Sequence, residues 1–135
     1  MLRLFAIGLI VTFGSGNVAL GFGADGHEAV CEVAYRELTP KVKAEVDRLI
    51  ALDYHDRVKT FRDSCVWPDF VGPIQKARKP EHYINIPRKW ESIWRQKCHG
   101  ADTCLFTGIA TDIETLSSEF ASDAEKLLAL KFLGH

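Results

Sequence analysis

The sequence predicts an all-α fold, a bundle of helices joined by long loops. Three observations carry that expectation. Apolar residues recur at spacings of three and four through successive stretches, the helical period. Two of those stretches open on strong helix-start signals, and no alternating apolar runs are joined by a hairpin turn.

Ahead of the helices lies a leader. Met1-Leu2-Arg3 gives it a positive start, Leu4 to Phe13 is almost wholly apolar, and Ser15 to Gly21 is small and polar. Ala19 and Gly21 fit the small-residue pattern of a signal-peptidase site. The apolar run falls short of the roughly 20 residues a membrane span requires. Residues 1–21 therefore read as an export signal cut after Gly21, with a buried core helix as the plainer alternative. The remaining domain, residues 22–135, is long enough for one core. Such a chain would be secreted or periplasmic, with no stable membrane association after cleavage.

The first helical pattern runs on from His27, with Val30, Val33, Ala34 and Leu38 as its apolar stripe. Thr39-Pro40 then supplies an N-cap and a first-turn proline for a second helix, whose stripe is Val42, Val46, Leu49 and Ile50. Asp53 to Asp56 is a polar connection. A less regular helical stretch passes through Val58, Phe61, Cys65 and Val66 toward Trp67-Pro68-Asp69. Gly72-Pro73 and Lys79-Pro80 punctuate a basic stretch that reads as a solvated loop, followed by an extended segment from His82 to Pro87. Ile109, Ile113, Leu116 and Phe120 mark a fourth helix. Ser122 with Glu125 is a capping-box start for a fifth, which carries Leu127, Leu128, Leu130, Phe132 and Leu133. That helix reads as interrupted at His135, so the bundle is expected to be incomplete at its C-terminus, with Gly134 the one stop signal.

Charge and cysteines bound the chemistry. Lysines and arginines number 17 against 18 acids, and loss of Arg3 with the leader tips the balance slightly further to acid. A basic patch gripping nucleic acid is therefore not announced, and phosphate affinity would have to come from something local such as bound cations. The four cysteines all follow the leader, where an oxidising compartment favours disulfides. Cys98 and Cys104 bracket a polar loop like a local clip, which leaves Cys31 and Cys65 for a second bond, one of three pairings four cysteines allow. Zinc ligation by these cysteines is the weaker reading, since the close cysteine spacing of structural zinc sites is absent.

Cleavage after Gly21 would make Phe22 a new N-terminus, with a free amine and carbonyl five positions ahead of His27. An α-amine titrates near about 7.7–8.0, so part of it is neutral and able to bind a metal near neutral pH. Taken singly, His27 reads as a surface residue, Asp69 as a helix-end cap, and His82 and His135 as hydrogen-bonded core histidines. His55 and His99 sit in polar loops.

Together the motifs resemble a family. Phe22-Gly23-Ala24-Asp25-Gly26-His27, Cys65-Val66-Trp67-Pro68-Asp69, Glu81-His82-Tyr83-Ile84-Asn85 and Leu130 to His135 follow in the order and spacing of the zinc-dependent nucleases. That family includes the plant bifunctional and fungal single-strand-specific nucleases, and it shares a helical fold with the bacterial zinc phospholipases C. The Cys98 to Cys104 loop is similar to the family's local disulfide. The resemblance implies a monomeric zinc-dependent endonuclease and 3′-nucleotidase acting on single-stranded DNA and RNA. It implies Phe22 and His27 as ligands of one zinc and Asp69, His82 and His135 as ligands of a second. Asp69 would also handle the proton of the attacking water. A complete family domain holds three zinc ions. The aspartate that bridges two of them, and the ligands of the third, have no counterpart in this sequence, so fewer ions or none are expected. A phospholipase C-like phosphodiesterase and a non-catalytic fragment are the alternatives.

Overall fold

Six α-helices and two short 3-10 turns account for the secondary structure in this computed structural model, which describes residues 23–54, 58–70, 72–84, 88, 98 and 102–135. No strand occurs among the described residues, in agreement with the all-α expectation. The leader, Phe22, His55, Asn85 and His99 lie outside them.

Helix α1, Ala24–Glu37, begins behind Gly23, with Asp25 in its first turn and Arg36 in its last, each complementing the helix dipole. Its inward face is only in part the expected stripe. Val30 and Val33 are 54% and 61% exposed, whereas Cys31 is buried and Tyr35 and Leu38 pack on the core. The cause is covalent: Cys31 is bonded to Cys65, and that bond fixes which side of the helix turns inward. Helix α2, Pro40–Ala51, starts as expected, with the Thr39 hydroxyl accepting from the Val42 N–H at 3.4 Å. Val46, Leu49 and Ile50 are buried, while Val42 is left at the surface.

The irregular third stretch resolves into α3, Phe61–Ser64, and a 3-10 turn at Trp67–Asp69. A reciprocal Thr60–Asp63 capping box starts α3, and Trp67 and Pro68 are buried in the turn. The basic stretch is a helix, contrary to the loop expected from its composition. Helix α4, Gly72–Arg78, carries Pro73 in its first turn, where proline lacks only an N–H that would have no partner anyway. A second 3-10 turn, Lys79–His82, follows directly, with Pro80 near its start. Its last residue is His82, so the extended segment begins only at Tyr83, whose carbonyl accepts from the Leu105 N–H at 3.0 Å.

Helix α5, Leu105–Ser117, buries Gly108 and Asp112. Ile109 and Ile113 stay largely exposed, and Phe120 lies beyond the helix and is 98% exposed. Here an ion pair decides the rotation: Asp112 meets Arg78, and the isoleucines are turned outward. Helix α6, Asp123–Gly134, opens on the expected Ser122–Glu125 capping box and packs along α5.

The core joins Val46, Leu49, Ile50, Val58, Trp67, Leu130 and Phe132. Two charge pairs are buried beside it. Lys131 bonds Asp53 with its ammonium 3.9 Å from the Trp67 ring centre. Arg78 bonds Asp112 and Glu81 with its guanidinium 3.8 Å from that of Phe132. Disulfides join Cys31 to Cys65 and Cys98 to Cys104. Among the described residues, no helix is long and apolar enough to cross a membrane.

Candidate metal centre

Four side chains from four separate elements meet at one end of the bundle. His27 comes from the first turn of α1, Asp69 from the end of the first 3-10 turn, His82 from the end of the second, and His135 follows α6. One ligand atom from each of His27, Asp69 and His135 falls within a group whose members all lie within 4.8 Å of one another. The His27 and His135 rings stack with centres 4.3 Å apart. His82 presents its ring at 65° to His135, centre to centre 4.8 Å. The structure therefore groups His27 with Asp69 and His135 and sets His82 against the same histidine.

The proton positions follow from the partners. His135 Nδ1 lies 2.8 Å from the Cys65 carbonyl oxygen. A carbonyl only accepts, so Nδ1 carries the hydrogen and Nε2 keeps its lone pair in the neutral ring. Burial is the main influence that lowers the His135 pKa from the ordinary 6.5. The Cys65 carbonyl and Asp69 pull it up, while His27 and His82 add to the depression. His82 repeats the device, its Nδ1 3.2 Å from the Arg78 carbonyl. The buried His82 Nε2 has no hydrogen-bond partner among the described residues. Leaving such an atom unsatisfied costs about 1–3 kcal/mol, a cost that a bound cation would offset.

The donor set fits zinc. Bonds of about 2.0–2.1 Å in a tetrahedral site put neighbouring donors roughly 3.4 Å apart. His135 Nε2 and Asp69 Oδ1 are 3.5 Å apart, already at that spacing. The imidazoles of His27 and His135, the latter with its Nδ1 held by a carbonyl, plus the Asp69 carboxylate match zinc's preference for nitrogen and oxygen ligands, and His82 beside them is held in the same way. Asp69 is 40% exposed against 10% for His135, so the carboxylate marks the side open to solvent.

Two supports lie behind the ligands; the sequence offered the Cys31–Cys65 pairing of the first without its role, and sequence reasoning did not find the second. One is the Cys31–Cys65 disulfide with Gly134 upon it. A Cβ at position 134 would stand 2.5 Å from the Cys65 sulfur and 3.3 Å from that of Cys31. The glycine that reads as a helix stop is therefore a close-approach position. The other is Arg78, whose carbonyl orients His82 while its guanidinium is held by Asp112, with both oxygens at 2.9 Å, and by Glu81. The signal available in the sequence was Asp112, a lone acid between Ile109 and Ile113.

With the geometry in hand, comparison with known families gives one result. The sequence matches the S1/P1 Nuclease family over residues 22–135. No curated protein and no solved structure gives a match.

Proposed function

The chain belongs to the S1/P1 nuclease family, hydrolases that act on nucleic acid, and on that premise we propose a zinc-dependent endonuclease and 3′-nucleotidase for single-stranded DNA and RNA. The observation that carries the reading is the convergence of His27, Asp69 and His135 within 4.8 Å. These three would hold an ion, with His82 edge-on to His135 and oriented by the Arg78 carbonyl. Phe22, exposed as an N-terminus by cleavage after Gly21, would add its amine and carbonyl beside His27.

When bound, zinc brings the pKa of a ligated water to about 7 and polarises phosphoryl oxygens. The chain's own residues do the rest. His135 and His82 hold their Nδ1 protons on backbone carbonyls, which keeps both rings in the ligating tautomer. Asp69, on the solvent side, would orient the attacking water and take its proton. Phe70 and Tyr83 directly follow Asp69 and His82, and they are 62% and 48% exposed. Unstacked bases would stack on such exposed rings, each stack being worth about 1–3 kcal/mol, which would favour single strands over duplex. The near-neutral net charge leaves phosphate attraction to the metal itself. Export fits the two disulfides.

The test compares zinc content and single-stranded DNA hydrolysis of a chain starting at Phe22 with one carrying an extra N-terminal residue. Zinc and cleavage that depend on the Phe22 start support both the amine ligand and the nuclease reading. Cleavage indifferent to the extension removes Phe22 from the site. Absence of zinc and cleavage in both chains overturns the proposal.

A further inference from the structure

We infer that the Cys31–Cys65 disulfide, with Gly134 seated on it, is the positioning element of the metal centre, so that metal affinity depends on this bond. The inference rests on the metal reading above.

Each half of the disulfide lies four positions from a ligand. Cys31 follows His27 by four positions on the same face of α1, and Cys65 precedes Asp69 by four. The backbone of Cys65 also holds the third ligand, its carbonyl accepting from His135 Nδ1 at 2.8 Å. Gly134 completes the arrangement. Its missing side chain lets the end of α6 rest on both sulfurs, and its carbonyl oxygen is 3.3 Å from Cys31 Sγ. The half-cystines are 1% and 0% exposed, so this packing is dry. His27, Asp69 and His135 thus share one covalent support, although they come from three separate elements. With the bond opened, α1 and the Cys65 turn could separate, and the stack of His27 on His135 would lose its fixed spacing.

The Cys98–Cys104 bond is the internal control. It closes a loop in front of α5, where Thr107 caps the helix by accepting from the Cys104 N–H at 2.8 Å. Among the described residues, the ring and hydrogen-bond contacts given above for His27, His82 and His135 do not involve Cys98 or Cys104.

Linkage makes the inference measurable from both sides. If the bond raises zinc affinity, zinc must stabilise the bond by the same factor. The oxidised protein is exposed to graded tris(carboxyethyl)phosphine with and without zinc chloride, and freed thiols are alkylated and assigned by mass spectrometry. We expect zinc to suppress labelling at Cys31 and Cys65 and to leave Cys98 and Cys104 unchanged. Equal protection of both bonds, or of neither, overturns the inference. A Cys31→Ser/Cys65→Ser variant should keep its helical signal and bind zinc roughly 10- to 100-fold more weakly, the loss typical when supporting contacts of a metal site are removed. Unchanged affinity in that variant also overturns it. Should the variant fail to fold, the labelling of the unmodified protein decides alone. A failure of the oxidised protein to take up zinc is a separate outcome, and it sinks the metal reading together with the inference.

Discussion

The Cys65 carbonyl oxygen accepts the Nδ1 proton of His135 across 2.8 Å, joining positions 70 apart in sequence. The bond fixes the tautomer, leaves Nε2 aimed at Asp69, and ties the end of α6 to the Cys65 turn. Ligand chemistry and tertiary packing coincide in that one contact, which is why substitutions behind the site should be read out in metal binding as well as stability.

Gly134→Ala tests the packing directly. In an ordinary helix the change stabilises by up to about 1 kcal/mol. At this position the new Cβ would stand 2.5 Å from a disulfide sulfur, and overpacking of that kind typically costs about 1–3 kcal/mol. We expect net destabilisation in denaturant unfolding, together with weaker zinc binding by titration.

Removal of metal should lower stability. A ligand that binds only the folded chain contributes about 2.7 kcal/mol at a free concentration 100-fold above its Kd. Thermal unfolding with and without a chelator should show a zinc-dependent rise in the unmodified protein and none in His135→Ala. An identical rise in that variant would locate the zinc elsewhere.

The pH dependence of the metal-free protein has a definite sign. Burial holds the His135 pKa below its ordinary 6.5, so the unfolded chain binds a proton more readily than the folded one. Stability is then present above the unfolded pKa of about 6.5 and is lost as pH falls through the folded value. Nuclear magnetic resonance titration should place the His135 midpoint below that of an exposed histidine, and His135→Gln should flatten the stability profile in this window.

Asp112→Ala would leave Arg78 buried with only Glu81 as its charge partner. Burial pushes the Asp112 carboxyl up more strongly than the Arg78 hydrogen bonds pull it down, so the pair is held at a desolvation cost. Removing one member of such a pair costs about 3–5 kcal/mol, and we expect the lower end because Glu81 remains. Chemical denaturation measures the loss. A displaced Arg78 should also release His82, visible as a changed His82 resonance.

Ser122→Ala should cost about 1 kcal/mol through loss of the α6 cap, where the hydroxyl accepts from the Glu125 N–H. Its distance from the site predicts a change in unfolding midpoint with zinc affinity intact.

Much of this molecule was legible in its sequence because the relevant signals are local. Thr39-Pro40 and Ser122 with Glu125 start helices where they were expected to. His27, Asp69, His82 and His135 were visible as motifs, each with its own short context. What could not be read was the direction in which helices face. Val30, Val33, Ile109 and Ile113 form apolar stripes at helical spacing, yet Cys31 and Asp112 turn those helices another way. A disulfide or a buried ion pair joins residues far apart in the chain, and periodicity along one helix carries no trace of its partner. The basic stretch failed for a related reason: composition suggested a loop, while a first-turn proline is compatible with the helix that forms. Gly134 was legible as a glycine but not as a site of contact with two sulfurs.

The same contact sets an order of events during biosynthesis. Cys31 and Cys65 are 34 positions apart, whereas Cys31 and Gly134 are 103 apart. A chain emerging from its N-terminus presents both cysteines to an oxidant before it presents α6. Helix α6 would then dock onto a sulfur pair that is already closed, and His135 would reach the Cys65 carbonyl only with that docking. Chains that pair Cys31 or Cys65 wrongly would lack the seat on which that docking depends, and could be recognised as a population unable to complete the histidine cluster however long they are given.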